Sequence, residues 1–225
     1  MSPRPGPRKA PPRRRPAAVA TEPGASATVR KRRDEIVSAA TDIIATEGIH
    51  KLSLARIEQR VKMSRGQLTY YFRKKEHILL AVFDRMLLRM IAETTADGER
   101  AGVGAPGDGR VVEKFRYGMT RMMATGGADA ADLRALVHTF LAQVQHEPDY
   151  RRKLAEANAG WRAHVAADVA ATGTTAAPPR AVASVVMARF QGLGDQLAVD
   201  PDAFDRAAVA DLCFHLLGTL FEGPT

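Results

Sequence analysis

Arg65, Gln67, Thr69 and Tyr70 crowd into one short stretch that begins at Ser64. Arginine brings five N–H donors, glutamine a donor and an acceptor, and the two hydroxyl residues one O–H each. None of them stands beside a base that would make it a nucleophile. The chemistry they suit is recognition by hydrogen bonding, with nucleic-acid base edges and phosphates as natural targets. Their setting is helical. Ser64 precedes Gln67 by three residues, the spacing of a reciprocal cap in which each side chain satisfies an otherwise unpaired backbone N–H. Leu68 and Phe72 then point back into a core. Upstream, Leu54, Ile57 and Val61 repeat at helical spacing behind a capping Ser53, leaving Arg56 and Arg60 to face water or a polyanion. A break at Lys62-Met63 joins the two segments. Short paired helices with a tight turn and apolar inner faces make a helix-turn-helix reader. Solvated outer faces of paired helices would show similar charges, so the order of residues around the turn has to decide.

Charge is distributed along the chain in the same sense. The formal charge is +8, but residues 1–33 carry ten Lys/Arg against one acid, Glu22, so the remainder sums to −1. A basic front and an ordinary rear fit a nucleic-acid-facing amino terminus, without choosing DNA over RNA. One cysteine, Cys213, sits in an apolar run; an intramolecular disulfide and a Cys-rich zinc site are excluded. No apolar run approaches membrane-spanning length, and the basic, proline-rich start lacks a secretion signal's apolar region, so a cytoplasmic protein with no membrane association is expected.

Residues 1–28 read as a disordered basic arm, rich in Pro, Arg and Ala. Its arginines could add phosphate affinity, or merely solubilise. Arg30, Arg32 and Arg33 differ because they abut the first ordered helix, Val29–Glu47, whose Ile36, Ala39, Ala40, Ile43 and Ile44 share a face and which Gly48 stops. Residues 29–76 would form the compact helix-turn-helix domain, and residues 77–225 a larger helical domain. A fourth helix from Glu76 to about Thr95 would connect the two; Asp97–Gly109, with its glycines, reads as a loop. Helical patterns resume at Val111–Ala124, Ala130–His146 and Asp149–Ala171; Thr172–Pro179 breaks them; Arg180–Leu197 and Asp202–Phe221 follow. The fold class is all-α.

Fixed spacing across the front helices now carries a family resemblance. IVSAATDIIATEG, SLARI, Val61, Ser64 and the run Gly66-x-Leu68-x-Tyr70-Tyr71-Phe72-x-x-Lys75-Glu76, with Leu79 after it, closely resemble the amino-terminal domain of the TetR family of bacterial transcriptional regulators. The resemblance covers about Lys31–Phe83. It implies an all-helical homodimer that usually represses transcription and leaves its operator DNA when a small molecule binds the larger domain. By position it brings Arg65, Gln67 and Tyr70 to bases in the major groove, and Thr69, Tyr71 and Lys75 to the sugar-phosphate backbone. Gly66 would let the helix approach the duplex closely, and Arg30, Arg32 and Arg33 would follow adjacent phosphates or touch the minor groove. Three positions depart from the family pattern: Glu58 replaces a small Ala, Lys62 a turn Gly, and Thr69 a frequent Tyr. Lys62 must then take a glycine-like left-handed turn conformation, or the turn differs slightly, and Glu58 must tip outward or find a cationic partner.

In the larger domain, Phe115, Met119, Met122, Met123, Phe140 and Trp161 are large, adaptable or aromatic side chains that could line an effector pocket, or simply pack a core. The last two helices pair apolar positions such as Val185, Val186, Leu212 and Leu216 with small Ala181, Ala188, Gly192 and Gly194. They could meet their symmetry mates as a four-helix dimer interface, or close only the monomer core. His138 and His146 could share a helix face, but no carboxylate stands at metal-ligand spacing. With no Walker loop, nucleophile elbow or metalloprotease spacing, the sequence implies no enzyme, metal or cofactor. A regulator answering to a protein partner, or to no ligand, is the alternative to a small-molecule sensor.

Overall fold

The computed structural model describes residues 27–100, 102, 110–127, 130–173 and 177–219. The expected arm up to residue 26, most of the glycine-rich 101–109 stretch, residues 174–176, Leu220 and Phe221 lie outside the described residues. Among the described residues the elements are all helical: α1 Ala27–Glu47, a 3-10 turn at Ile49–Lys51, α2 Leu54–Val61, α3 Arg65–Tyr71, α4 Lys75–Arg100, α5 Val111–Thr125, α6 Ala131–Gln143, α7 Pro148–Ala171, α8 Pro179–Val199 and α9 Arg206–Gly218. None of these helices is long and apolar enough to cross a membrane.

Local chemistry sets the ends. Gly48, at φ 86°, donates its N–H to the Ile44 carbonyl and turns the chain out of α1. Ser53 accepts from the Arg56 N–H at 3.3 Å to start α2. Lys62 ends α2 at φ 53°, ψ 44°, the left-handed of the two outcomes open to it. Asp205 Oδ1 accepts from the N–H groups of Ala207 and Ala208, so α9 starts at Arg206 instead of Asp202. At its other end α1 begins at Ala27, two residues before the expected start.

Two boundaries move further. Helix α4 runs through Asp97 and Gly98 to Arg100, where glycine content had suggested a loop. A single interior glycine costs about 1 kcal/mol; Asp97 counters it by pairing with Arg100 on its own helix and with Arg121 on α5. Helix α6 stops at Gln143, so His146 leaves the helix. His138 meets Asp195 of α8 at 3.0 Å, and the two histidines do not share a helix face.

Apolar side chains gather in two cores. The first joins Ile36, Ile43, Ile57, Leu68 and Phe72 of the front helices to Ile78, Val82 and Phe83 of α4, then to Leu136 and Phe140 of α6 and Tyr150 and Leu154 of α7. The front helices therefore do not keep a separate core of their own, as a self-contained three-helix unit would. Leu54, expected inside it, is only half-buried against its edge. The second core joins Val111, Phe115, Met119 and Met123 of α5 to Val169 of α7, Val182, Val186 and Leu197 of α8, and Cys213 and Leu217 of α9. Helix α4 is tied to both sides by consecutive residues: Arg85 donates to Ser38 Oγ at 2.5 Å and pairs with Asp34 on α1, while Asp84 meets Lys153 Nζ of α7 at 2.9 Å.

Left-handed backbone at a residue with a Cβ costs roughly 1–2 kcal/mol, against which a glycine's greater unfolded freedom must be set. Lys62→Gly should therefore stabilise the fold by about 0.5–1 kcal/mol, measured by denaturant unfolding. No change, or destabilisation, would show that the turn relaxes differently.

Candidate nucleic-acid interface

Helix α3 is held from behind and from both ends. Leu68 is fully buried and Phe72 nearly so. At the front, the Ser64 N–H donates to Gln67 Oε1 at 2.9 Å and Ser64 Oγ accepts from the Gln67 N–H at 3.3 Å, the reciprocal cap read from the sequence. At the back, Arg33 of α1 donates from Nη1 to the Tyr71 carbonyl at 2.6 Å and lies 4.1 Å over the Phe72 ring. That carbonyl is one of the last-turn acceptors a helix cannot satisfy itself. Arg33, expected beside phosphates, is exposed but is engaged here as a pin for the end of α3.

The outward face is open. Tyr70 is 74% exposed and stands edge-on to the half-buried Tyr71, ring centroids 5.0 Å apart. Gly66 is exposed, and a Cβ built there would meet nothing within 4 Å. Arg65 is exposed but engaged: its Nε faces Glu58 Oε1 of α2 in an ion pair. That oxygen is buried and has no hydrogen bond, so the contact is Coulombic, off the hydrogen-bond axis. Of the two outcomes open to Glu58, the structure takes the cationic partner. Gln67 spends its carboxamide oxygen on the cap and keeps only its amide hydrogens for a ligand. Thr69 returns its hydroxyl to the Arg65 carbonyl at 3.0 Å. Lys75 opens α4, half-buried.

The remaining cations are sorted by acids. Arg32 pairs with Glu35 at 2.7 Å, and that bond and its charge hold the guanidinium pKa above its ordinary value. Arg30 is exposed on the first turns of α1. Arg56 and Arg60, expected to face water or a polyanion, both turn to Glu47 at the end of α1. Sequence reasoning left out Arg73 and Lys74, which are exposed in the bend between α3 and α4. Their placement directly after the reading stretch was the available signal.

The expected effector residues divide. Phe115, Met119 and Met123 are buried in the second core; Phe115 lies 5.4 Å from the Phe190 ring and 6.2 Å from Phe214. Met122 is partly buried there, and Trp161, 38% exposed, tilts toward Phe190 at 6.2 Å. Phe140 is elsewhere. It stacks on Tyr150 at 4.2 Å and lies 5.4 Å from Phe83, in the first core, because α6 packs on α4 and α7. The buried Tyr150 hydroxyl is pushed above the ordinary tyrosine pKa by desolvation. Near the second core, Asp168, 3% exposed, pairs with Lys114 Nζ at 2.8 Å.

A capped short helix with an open polar face, buttressed by a second helix across a tight turn, defines a helix-turn-helix reader of the kind that enters a duplex groove. The family model described as bacterial regulatory proteins, tetR family, matches residues 36–82, and one described as BetI-type transcriptional repressor, C-terminal, matches residues 112–222. The chain belongs to the TetR family and is a DNA-binding transcriptional regulator. No curated protein matches it in sequence. Solved structures share its fold. A TetR-family regulator from Cytophaga hutchinsonii is 13% identical at TM-score 0.68, over 89% of this chain and 100% of that one. A Streptomyces coelicolor A3(2) protein is 24% identical at TM-score 0.59, over 85% and 99%. A Saccharomonospora viridis protein solved in complex with choline is 18% identical at TM-score 0.61, over 86% and 97%.

Two substitutions separate the pin from the reading face. Arg33→Ala removes a charge-assisted hydrogen bond and a cation–π contact, and should cost about 1–2 kcal/mol of stability without changing the salt slope of DNA binding. A slope reduced by about one would make Arg33 a phosphate contact after all. Gly66→Ala should raise helix stability by about 0.5–1 kcal/mol yet weaken duplex binding. Unimpaired binding by this variant would mean that the duplex never comes close to position 66.

Proposed function

We propose that the protein is a cytoplasmic repressor that binds a two-fold symmetric operator as a homodimer and is released by a small molecule in the larger domain. The observation that carries the reading is the exposed face of α3, with Tyr70 outward and open space at Gly66, on a backbone fixed by burial of Leu68 and Phe72. Arg65, Gln67 and Tyr70 read bases; Tyr71 and Lys75 hold the backbone, joined by Arg73, Lys74 and Arg30. Thr69 contributes as an acceptor or through its methyl group, since its hydroxyl proton is used within the helix.

Dimerisation runs through α8 and α9. Val185, Leu212 and Leu216 are 48%, 56% and 41% exposed on these helices, an apolar area that a second copy would cover. Pairing sets two α3 helices about one duplex turn, roughly 34 Å, apart. The effector enters beside Trp161 and Phe190 and reaches Phe115, Met119, Met122 and Met123. Flexible thioethers repack around a guest more readily than branched side chains do. The match to a BetI-type repressor carboxyl-terminal model and the choline in the Saccharomonospora viridis protein favour a small organic effector.

Selection of genomic fragments with the purified full chain tests the reading. It should enrich one two-fold symmetric motif, and a metabolite screen on that motif should yield a compound that releases the protein. Equal recovery of unrelated fragments, or occupancy unmoved by every compound, would contradict the corresponding part. On the selected operator, Lys75→Ala should weaken specific and random DNA alike and lower the salt slope by about one. Gln67→Glu keeps a cap acceptor but loses the amide donors, so it should preserve stability while costing roughly 1–3 kcal/mol at particular base pairs. A uniform loss across all sequences would defeat the base-reading role of Gln67.

A further inference from the structure

We propose that Glu58 is a specificity-determining positioning residue: by holding Arg65 through Nε, it aims that guanidinium at a guanine and penalises its use on phosphate. The inference rests on reading α3 as the helix that enters the major groove. Arg65 is the first residue of α3 and Glu58 lies in the last turns of α2, so the pair bridges the turn between the two reader helices. The two partners are unequal. The Glu58 side chain is 20% exposed with its Oε1 buried, whereas the Arg65 side chain is 56% exposed.

That asymmetry has consequences. If Arg65 swings away, a largely buried carboxylate loses the cation beside its buried oxygen, and uncompensated buried charge is costly. The guanidinium is thereby restrained even though it is accessible. With Nε facing Glu58, the two Nη groups keep four of the five N–H donors. A pair of terminal nitrogens matches O6 and N7 of guanine, which lie side by side in the major groove. Phosphate can take the same donors, but it is an anion and Glu58 repels it. A guanine edge is neutral and does not meet that penalty. The carboxylate thus biases Arg65 toward the one partner that carries sequence information.

The test uses purified full-length protein and a randomised duplex library, with wild type, Arg65→Ala, Glu58→Ala and Glu58→Gln selected in parallel. Affinity for random duplex and thermal unfolding are measured beside each selection. Wild type should show a guanine position that Arg65→Ala and Glu58→Ala both flatten, on the order of tenfold. Glu58→Gln, close in shape but uncharged, should fold like wild type and retain part of the preference. Random-duplex affinity should stay level or rise in both Glu58 variants, because the anion beside Arg65 has been removed. A guanine preference that Arg65→Ala abolishes but both Glu58 variants keep would overturn the role of Glu58. Parallel losses on specific and random duplex in Glu58→Gln would reduce it to a structural contact. If Arg65→Ala flattens no position, base reading by Arg65 itself fails, and this proposal with it.

Discussion

Helix α3 has seven residues, and a helix of that length has no stability of its own in water. Everything that makes the chain a reader depends on stabilising that rod from outside while leaving its far side bare. Burial of Leu68 and Phe72 supplies most of the hold, since burying each such side chain contributes about 1.5–3 kcal/mol. The Ser64–Gln67 box satisfies the amino end and Arg33 the carboxyl end. None of these contacts uses the face that carries Tyr70 and Gly66. The same core continues through Phe83 to Phe140, Tyr150 and Leu154, so the reading head is anchored to the larger domain through α4 and α6.

A second constraint is electrostatic. The front of the molecule must be basic enough to attract DNA, yet cations crowded on short helices repel one another. Acids are placed to relieve this: Glu35 beside Arg32, Glu47 beside Arg56 and Arg60, Glu58 beside Arg65. The Arg32 pair and those at Glu47 are exposed and contribute little to stability, about 0–1 kcal/mol, whereas the Glu58 carboxylate is largely buried. The effect of these pairs is on which cations remain available to a polyanion. Arg73, Lys74 and Lys75 form a continuous basic run from the end of α3 into α4, and under the proposed reading that run, more than the paired arginines of α2, is what attracts phosphate.

Much of this was legible in the residues alone, for identifiable reasons. The cap at Ser64 and Gln67 is a local, three-residue signal, and the structure forms it as read. Apolar spacing identified Ile36, Ile43, Ile57, Leu68 and Phe72 correctly as core. The left-handed turn at Lys62 was implied by the family resemblance, in which a glycine usually stands there, and the structure has it at φ 53°. What escaped depends on contacts between residues distant in the chain. Nothing near Arg33 indicates that it lies 38 positions from its acceptor, Tyr71. Phe140 has the composition of a pocket residue, and only the packing of α6 on α4 places it in the other core. Glycines suggested that α4 ends early, whereas ion pairs at Asp97 carry it to Arg100.

The central claim is that the outer face of α3 is the surface that meets bases. A photoreactive aromatic residue substituted for Tyr70 addresses it directly, with the same group at the exposed Ala171, the last residue of α7, as a control. On irradiation of the protein bound to duplex, the account predicts covalent capture of DNA bases from position 70 and none from position 171. Bound duplex that gives no cross-link from position 70, or is captured from position 171 instead, would contradict it.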